Sequence, residues 1–269
     1  MADLVLYDPS LEDERIGIVT LNHPEKRNAL SRAMLVALDE RLRAIAHDGR
    51  VNVVILRGMG TVFSSGHDLR EILEGDPLEV LDLFETCFAT MQTMRQMPQI
   101  VVAEVHGIAT AAGLQLVATA DLAVASSVAK FATPGVKIGF FCSTPAVALS
   151  RNIGRKKAAE LLFTGEFMDA EDALRSGLVN RVVPPEELGS ATVELARLVA
   201  RHARATLALG KKHFYRQLGM DEFDALAYMS QVMATNSAAP DAKEGISAFL
   251  TKRQPVWTDR RVKAEALDV

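Results

Sequence analysis

The sequence predicts an α/β protein with a largely parallel sheet, followed by a helical C-terminal region. Three observations carry this expectation. Short β-branched runs alternate with helical stretches as far as Val182, one of these runs is apolar on both faces, and only helical periodicity follows. Arg15-Ile16-Gly17-Ile18-Val19-Thr20-Leu21 and Val51-Asn52-Val53-Val54-Ile55-Leu56 are short, rich in β-branched residues and end in turn residues, so both read as strands. Between them Ser31 suits a helix N-cap, and Leu35, Leu38, Leu42 and Ile45 recur at three- and four-residue spacing as one apolar stripe that must pack on the sheet. A second helical stretch over 78–97 stops at Pro98. Ile100-Val101-Val102-Ala103-Glu104-Val105 then suits a strand buried on both sides. The small-residue segment from Gly107 to Ala120 reads as a turn entering a helix, and Leu122-Ala123-Val124-Ala125 resumes the strand pattern. Pro184-Pro185 breaks the chain. Beyond it Leu195, Leu198 and Val199, then a stretch around Phe223 to Val232, are spaced as helices. A core over 1–195 and a helical region over 196–269 are therefore expected, the second covering a face of the first or of a neighbouring subunit.

Composition narrows the function classes. The chain of 269 residues suits one large domain, or one domain with an appendage, and is long enough to bury a sizeable core without staples. It carries 30 Lys and Arg against 34 Asp and Glu, a net charge of −4 with no dense basic run, so no nucleic-acid partner is expected. No stretch of about 18 apolar residues occurs, and Met1-Ala2-Asp3-Leu4-Val5 has no leader pattern, so no membrane partner is expected. Cys87 and Cys142 make neither a disulfide framework nor a metal cluster, which favours a reducing, cytoplasmic setting with no metal.

Two loops place small residues between a strand and a helix: Phe63-Ser64-Ser65-Gly66-His67-Asp68-Leu69 and His106-Gly107-Ile108-Ala109-Thr110-Ala111-Ala112-Gly113. The first N–H groups of a helix lack intrahelical acceptors and carry partial positive charge. Two such ends facing one point make fixed donors for a developing oxyanion. The plainer alternative is that Gly66 and Gly113 merely serve tight turns.

The first loop resembles the pattern A-A-G-x-D and the second N-G-x-A-x-G-G-G-x-E of the crotonase superfamily, the enoyl-CoA hydratase/isomerase family. The resemblance continues in order through Asn22-His23-Pro24-Glu25-Lys26-Arg27-Asn28-Ala29-Leu30, Leu162-Phe163-Thr164-Gly165 with Ala170 and Ala173, and Gly177-Leu178-Val179-Asn180 leading into Val182-Val183-Pro184, covering roughly residues 5–255. Ser-Ser-Gly-His-Asp-Leu, Ala-Thr-Ala-Ala-Gly, Phe-Ala-Thr-Pro-Gly-Val and Phe-Cys-Ser-Thr-Pro are similar to the subgroup of enoyl-CoA hydratase domain-containing proteins. The resemblance implies a spiral of ββα turns with a C-terminal helical region, assembled as a homotrimer or a dimer of trimers. It implies an acyl-CoA or enoyl-CoA thioester as substrate, with coenzyme A as part of that substrate and no separate cofactor. The thioester oxygen would rest on the N–H groups of His67 and Ala112, where alanine in place of glycine keeps the donor if its φ/ψ admits a Cβ.

Two departures bear on the reaction. The family's two catalytic glutamates fall on Gln115 and Gly135. A glutamine amide does not take up a proton near neutral pH and glycine has no side chain, so ordinary hydration loses both acid/base groups. Reactions that need little such help, such as decarboxylation of a malonyl-type thioester, fit better, and acyl-CoA binding without turnover is the alternative. His67 is one substitute proton carrier, against a packed or surface histidine. Ser143, where by resemblance related isomerases and dehalogenases carry an aspartate, is a neutral hydroxyl suited to orienting water or a carboxylate, against a helix N-cap before Pro145. Cys142 has no basic partner in view, and the spacing of Ser65, His106 and Asp121 gives no support to a hydrolytic triad. By resemblance Lys26, Arg27, Ala29, Ser65, Gly66, Asp68, Leu69 and Ala111 contact the substrate. The helix over 78–97 shapes the acyl pocket, its Met91, Met94 and Met97 being ordinary core otherwise, and Lys252 and Arg253 are further candidates for the CoA phosphates.

Overall fold

The computed structural model describes residues 3–9 and 15–257. The chain opens with β1 (Val5–Asp8), β2 (Ile16–Leu21), α1 (Arg32–Ala46), β3 (Val53–Gly58) and β4 (Val62–Ser64). It continues through α2 (Leu69–Glu74), α3 (Pro77–Gln96), β5 (Ile100–Val105), β6 (Ile108–Thr110), α4 (Ala112–Thr119), β7 (Leu122–Ser126) and β8 (Lys130–Ala132). Then come α5 (Ser143–Ser150), α6 (Arg155–Thr164), β9 (Met168–Asp169), α7 (Ala170–Ser176) and β10 (Arg181–Val183). Four helices close the described chain: α8 (Leu188–Ala200), α9 (Arg204–Gln217), α10 (Glu222–Ser237) and α11 (Pro240–Leu250).

One sheet has the order β1-β2-β3-β5-β7-β10 and the other β4-β6-β8-β9. In the larger sheet only β1 runs antiparallel to its neighbour; Val53 lies opposite Ile16 on one side and Ile100 on the other. Each of β3, β5 and β7 hands the chain to a short strand of the smaller sheet, β4, β6 and β8, before the next helix. This repeat of two strands and then helix is the spiral that the resemblance implied. The short strands escape sequence reading because three residues show no period, and β6 lies inside the segment expected to be only a turn.

Alternation along the strands divides the core. Val54 and Leu56 join the Leu35, Leu38 and Leu42 stripe of α1 and the methionines of α3 on one face. Val53 and Ile55 face the other way, with Ile16, Val102 and Val124, and are covered by Leu188, Ala196 and Ala200 of α8. The local signals for α1 and α3 act as expected. Ser31 Oγ accepts from Met34 N at 3.2 Å. Asp76 and Glu79 form a capping box with Pro77 in the first turn, and α3 ends before an extended Met97, as a residue preceding proline prefers. Met91, Met94 and Met97 are buried core.

The division at 195/196 falls inside α8, which is part of the sheet's cover. Leu195 and Val199 pack toward the sheet, whereas Leu198 is exposed, so the apolar spacing there is wider than the buried stripe. α9 is anchored by the buried Lys211, whose Nζ donates to Met94 O and Gln99 O at 2.7 Å and pairs with Asp121 at 2.7 Å. The Tyr215 hydroxyl donates to the same carboxylate.

Candidate active site

The two loops meet, and glycine lets them. Gly66 has φ +91, and a Cβ there would stand 2.8 Å from Ala111 Cβ and 3.2 Å from Ala112 N. A Cβ at Gly113 would stand 2.4 Å from Ser64 O. Thr110 Oγ1 donates to Ser65 O at 3.0 Å, tying the second loop to the first. A third segment holds the first loop from below: Leu30 N donates to Gly66 O, Ser65 N to Arg27 O and Ser64 Oγ to Asn28 O. Asn28, fully buried at φ 49, donates through Nδ2 to Met59, Val62 and Phe63 carbonyls and accepts from His23 N. Sequence reading passed it over as one letter of a matching stretch. An asparagine beside a proline-led turn, with its tolerance of positive φ, was the available signal.

The close approach places Gly66, one residue before His67, against Ala111 and Ala112. Ala112 opens α4, where its N–H has no intrahelical acceptor. Among the described residues neither the His67 N–H nor the Ala112 N–H is taken up by a backbone acceptor. Helical backbone at Ala112 admits a Cβ without penalty. The unusual conformation falls one residue earlier, at Ala111 with φ 50 and ψ −121, which glycine prefers and which costs alanine about 1–3 kcal/mol. It is held by Ala111 N donating to Ala132 O and by Gln115 N donating to Ala111 O, both at 3.0 Å.

His67 and Ala112 both belong to the border of a cavity of about 1020 Å³. Lys26, Arg27, Ala29, Ser65, Asp68, Leu69 and Ala111 of the expected binding set border it, as do His67, Ala112, Gly135 and Ser143 of the expected reactive set. Gly66 and Gln115 do not: Gly66 is the contact between the loops, and Gln115 is buried behind Thr144, whose Oγ1 donates to Gln115 Oε1 at 3.0 Å. Phe84 of α3, the helix expected to shape the pocket, borders it together with Ile138, Phe140 and Phe141, which sequence reading did not single out as an apolar wall. The rings of Phe84 and Phe140 stack at 6.3 Å. Only backbone folding after Gly139, at φ +72, brings them together.

Gly135 is closed to any side chain. A Cβ there would meet Phe140 O at 2.0 Å and Cys142 Sγ at 2.9 Å, and Phe140 N donates to Gly135 O. Ser143 is the first residue of α5, with Cys142 in the N-cap place, so the N-cap alternative for Ser143 is corrected. Proline at 145 stops no turn, because three residues into a helix its missing N–H has no acceptor to lose. Cys142 is buried, and burial pushes its thiol up, away from the nucleophilic thiolate. The triad is not assembled. Asp121 receives Val101 N, Tyr215 and Lys211, while His106 bonds the Gly60 backbone.

Charge at the rim is partly spoken for. Lys26 lies 3.6 Å from Asp68, which also caps α2 by accepting from Arg70 N. Arg253 makes a two-pronged pair with Glu244 at 2.6 and 2.9 Å within its own chain, which weakens its candidacy for phosphate. The His67 ring stands edge-on to Phe84 at 5.2 Å with Nδ1 3.2 Å from Leu30 O, and burial lowers its pKa.

Comparison with known proteins agrees with the fold. The enoyl-CoA hydratase/isomerase family profile matches residues 12–260. Mouse enoyl-CoA hydratase domain-containing protein 3, mitochondrial, is 46% identical over 248 residues, 92% of this chain and 83% of that one. The crystal structure of an enoyl-CoA hydratase from Mycobacterium smegmatis superposes with a TM-score of 0.91 at 48% identity, covering 94% of this chain and 98% of that one. The human enoyl Coenzyme A hydratase domain-containing protein 3 structure gives 0.91 at 46%, covering 94% and 100%. The fold and its paired strand-to-helix loops define a crotonase-type protein. More narrowly, the chain belongs to the enoyl-CoA hydratase/isomerase family and resembles its domain-containing protein 3 subgroup. The mitochondrial setting in the mouse relative's name gives the cytoplasmic expectation no support. Among the described residues no helix is long and apolar enough to cross a membrane.

Proposed function

We propose that the chain binds an acyl-CoA or enoyl-CoA thioester, with the thioester oxygen on the His67 and Ala112 N–H groups, and stabilises the enolate that forms when charge moves onto that oxygen. The observation that supports this reading is the close approach of Gly66 to Ala111 and Ala112, with His67 and Ala112 both bordering a large, largely apolar cavity. One such donor is worth about 2.7–4 kcal/mol to a transition state. Lys26 and Arg27 at the rim suit the CoA phosphates, with Ala29, Ser65, Asp68, Leu69 and Ala111 along the pantetheine path. Coenzyme A enters as part of the substrate, and the chemistry calls for no separate cofactor or metal.

Ordinary hydration is not the main activity on this reading. Gln115 presents a neutral amide engaged by Thr144, and the place of the second glutamate is filled by Phe140 O. Each positioned acid or base contributes about 10²–10⁴-fold, so loss of the pair nearly abolishes water addition by that route. Chemistry in which the substrate brings its own leaving charge, such as loss of carboxylate from a malonyl-type thioester, remains open to the donors alone. The closed Gly135 also favours a second reading, acyl-CoA binding without turnover. Calorimetric titration with a panel of acyl-CoAs, coupled to mass analysis of the products, separates the two. Binding with turnover supports the first reading, binding alone the second, and no binding of any acyl-CoA contradicts both. We further infer a homotrimer or a dimer of trimers packed through the helical region. Phe223, Met233 and Phe249 are respectively 82, 73 and 83% exposed there, and light scattering at three or six times 29.2 kDa is the expected result.

A further inference from the structure

Resting on the reading of an acyl-CoA site with its oxygen on two N–H donors, we propose that the imidazole of His67 is the site's proton acceptor, with Nε2 taking a proton from the thioester α-carbon. Four observations carry it. His67 is one of the residues that border the cavity. Nδ1 lies 3.2 Å from Leu30 O, a carbonyl that only accepts, so the proton of the neutral ring sits on Nδ1 and Nε2 carries the lone pair. Nε2 is buried with no hydrogen-bond partner in the structure, and an unpaired buried polar atom costs about 1–3 kcal/mol unless something in the working state satisfies it. Finally, the same residue supplies a donor to the oxygen, so covalent geometry holds Nε2 within about 6 Å of the N–H that would bind it. Two roles therefore meet on one residue: the amide receives the charge and the ring receives the proton.

The step balances without a further reactant. The α-C–H bond breaks, its proton forms the Nε2–H bond, and its electron pair moves through the α-carbon onto the thioester oxygen. Return of a solvent-exchanged proton to the same carbon restores the thioester and the neutral ring. The elements packed on the ring present Leu30 O and the Phe84 side chain, and the shift in its titration comes from burial and from Leu30, with no contribution from a charged side chain. Burial thus keeps the ring neutral at neutral pH and free to accept a proton, as a weaker base than an exposed imidazole.

The test is deuterium incorporation into butyryl-CoA in D₂O, followed by mass spectrometry across pH 5–8, for the parent chain and His67→Asn. Asparagine keeps an N–H donor for Leu30 O and lacks the second nitrogen, so loop placement and base are separated. The expected result is incorporation by the parent that rises with pH to a plateau, with its midpoint below the ordinary histidine value of 6.5. His67→Asn should lose about 10²-fold or more with no pH-dependent limb, while the calorimetric Kd for butyryl-CoA changes by less than about threefold. Equal incorporation by His67→Asn overturns the assignment. So does a flat profile for the parent, or parent binding without incorporation, and each leaves the binding reading intact. Failure of the parent to bind butyryl-CoA or any longer acyl-CoA overturns the binding reading and this assignment together.

Discussion

Gly135→Ala adds one methyl group at the position onto which the proposed reading maps the second of the family's glutamates. The new Cβ would stand 2.0 Å from Phe140 O and 2.9 Å from Cys142 Sγ, and the first of these is backbone that cannot rotate away. The 140–142 turn must then move as a unit, giving up the Phe140 N to Gly135 O hydrogen bond at 2.9 Å. Overpacking costs about 1–3 kcal/mol and the lost bond about 1 more, so roughly 2–4 kcal/mol is expected. For a chain of this length that corresponds to a fall in Tm of about 5–15 °C. Gly210→Ala is the internal control. It lies in α9 with nothing within 4 Å of its Cβ, and alanine there stabilises by about 0.5–1 kcal/mol. Thermal unfolding followed by circular dichroism compares the two. Equal Tm values, or a Gly135→Ala variant as stable as the parent, would refute the claim that the second glutamate's place is structurally closed.

Other perturbations give outcomes of known direction. Lys211→Met leaves the Asp121 carboxylate buried without its cation and is expected to cost about 3–5 kcal/mol by urea denaturation, with Lys211→Met/Asp121→Asn recovering part of the loss. Asn28→Ala strands three carbonyls and should cost about 1–3 kcal/mol while weakening acyl-CoA binding, read by unfolding and calorimetry on the same preparation. Arg253 and the Val256 N–H hold the Glu244 carboxyl down to about 2, against an ordinary 4.5. A depressed folded value stabilises above 4.5 and loses that stability as pH falls toward 2, so the Tm gap between the parent and Glu244→Gln should be present at pH 7 and close over that acid range.

The four central strands of the larger sheet, α1 and the end of α3 were legible because their signals are local and periodic: β-branched runs, a capped stripe of leucines and a proline stop; the short edge strands β1 and β10 were not. The two strand-to-helix loops were legible for another reason, since glycine between strand and helix marks backbone that must approach something closely. What escaped was non-local. The contact of Phe84 with Phe140 joins α3 to a turn more than fifty residues on, and nothing in either segment announces the other. The closure of Gly135 likewise depends on how the chain returns after Gly139, which no spacing encodes. Ser143 borders the cavity and is the first residue of α5 rather than its N-cap, because proline three residues into a helix is as acceptable as proline at its start.

Vibrational difference spectroscopy of an acyl-CoA carrying ¹³C at the thioester carbonyl tests the paired donors most directly. Two N–H groups on the oxygen weaken the C=O bond, so binding should shift its stretch to lower frequency, and Gly66→Ala, whose Cβ forces the loops apart, should remove much of that shift. A bound thioester whose carbonyl frequency matches that in water would contradict the oxyanion site formed by His67 and Ala112.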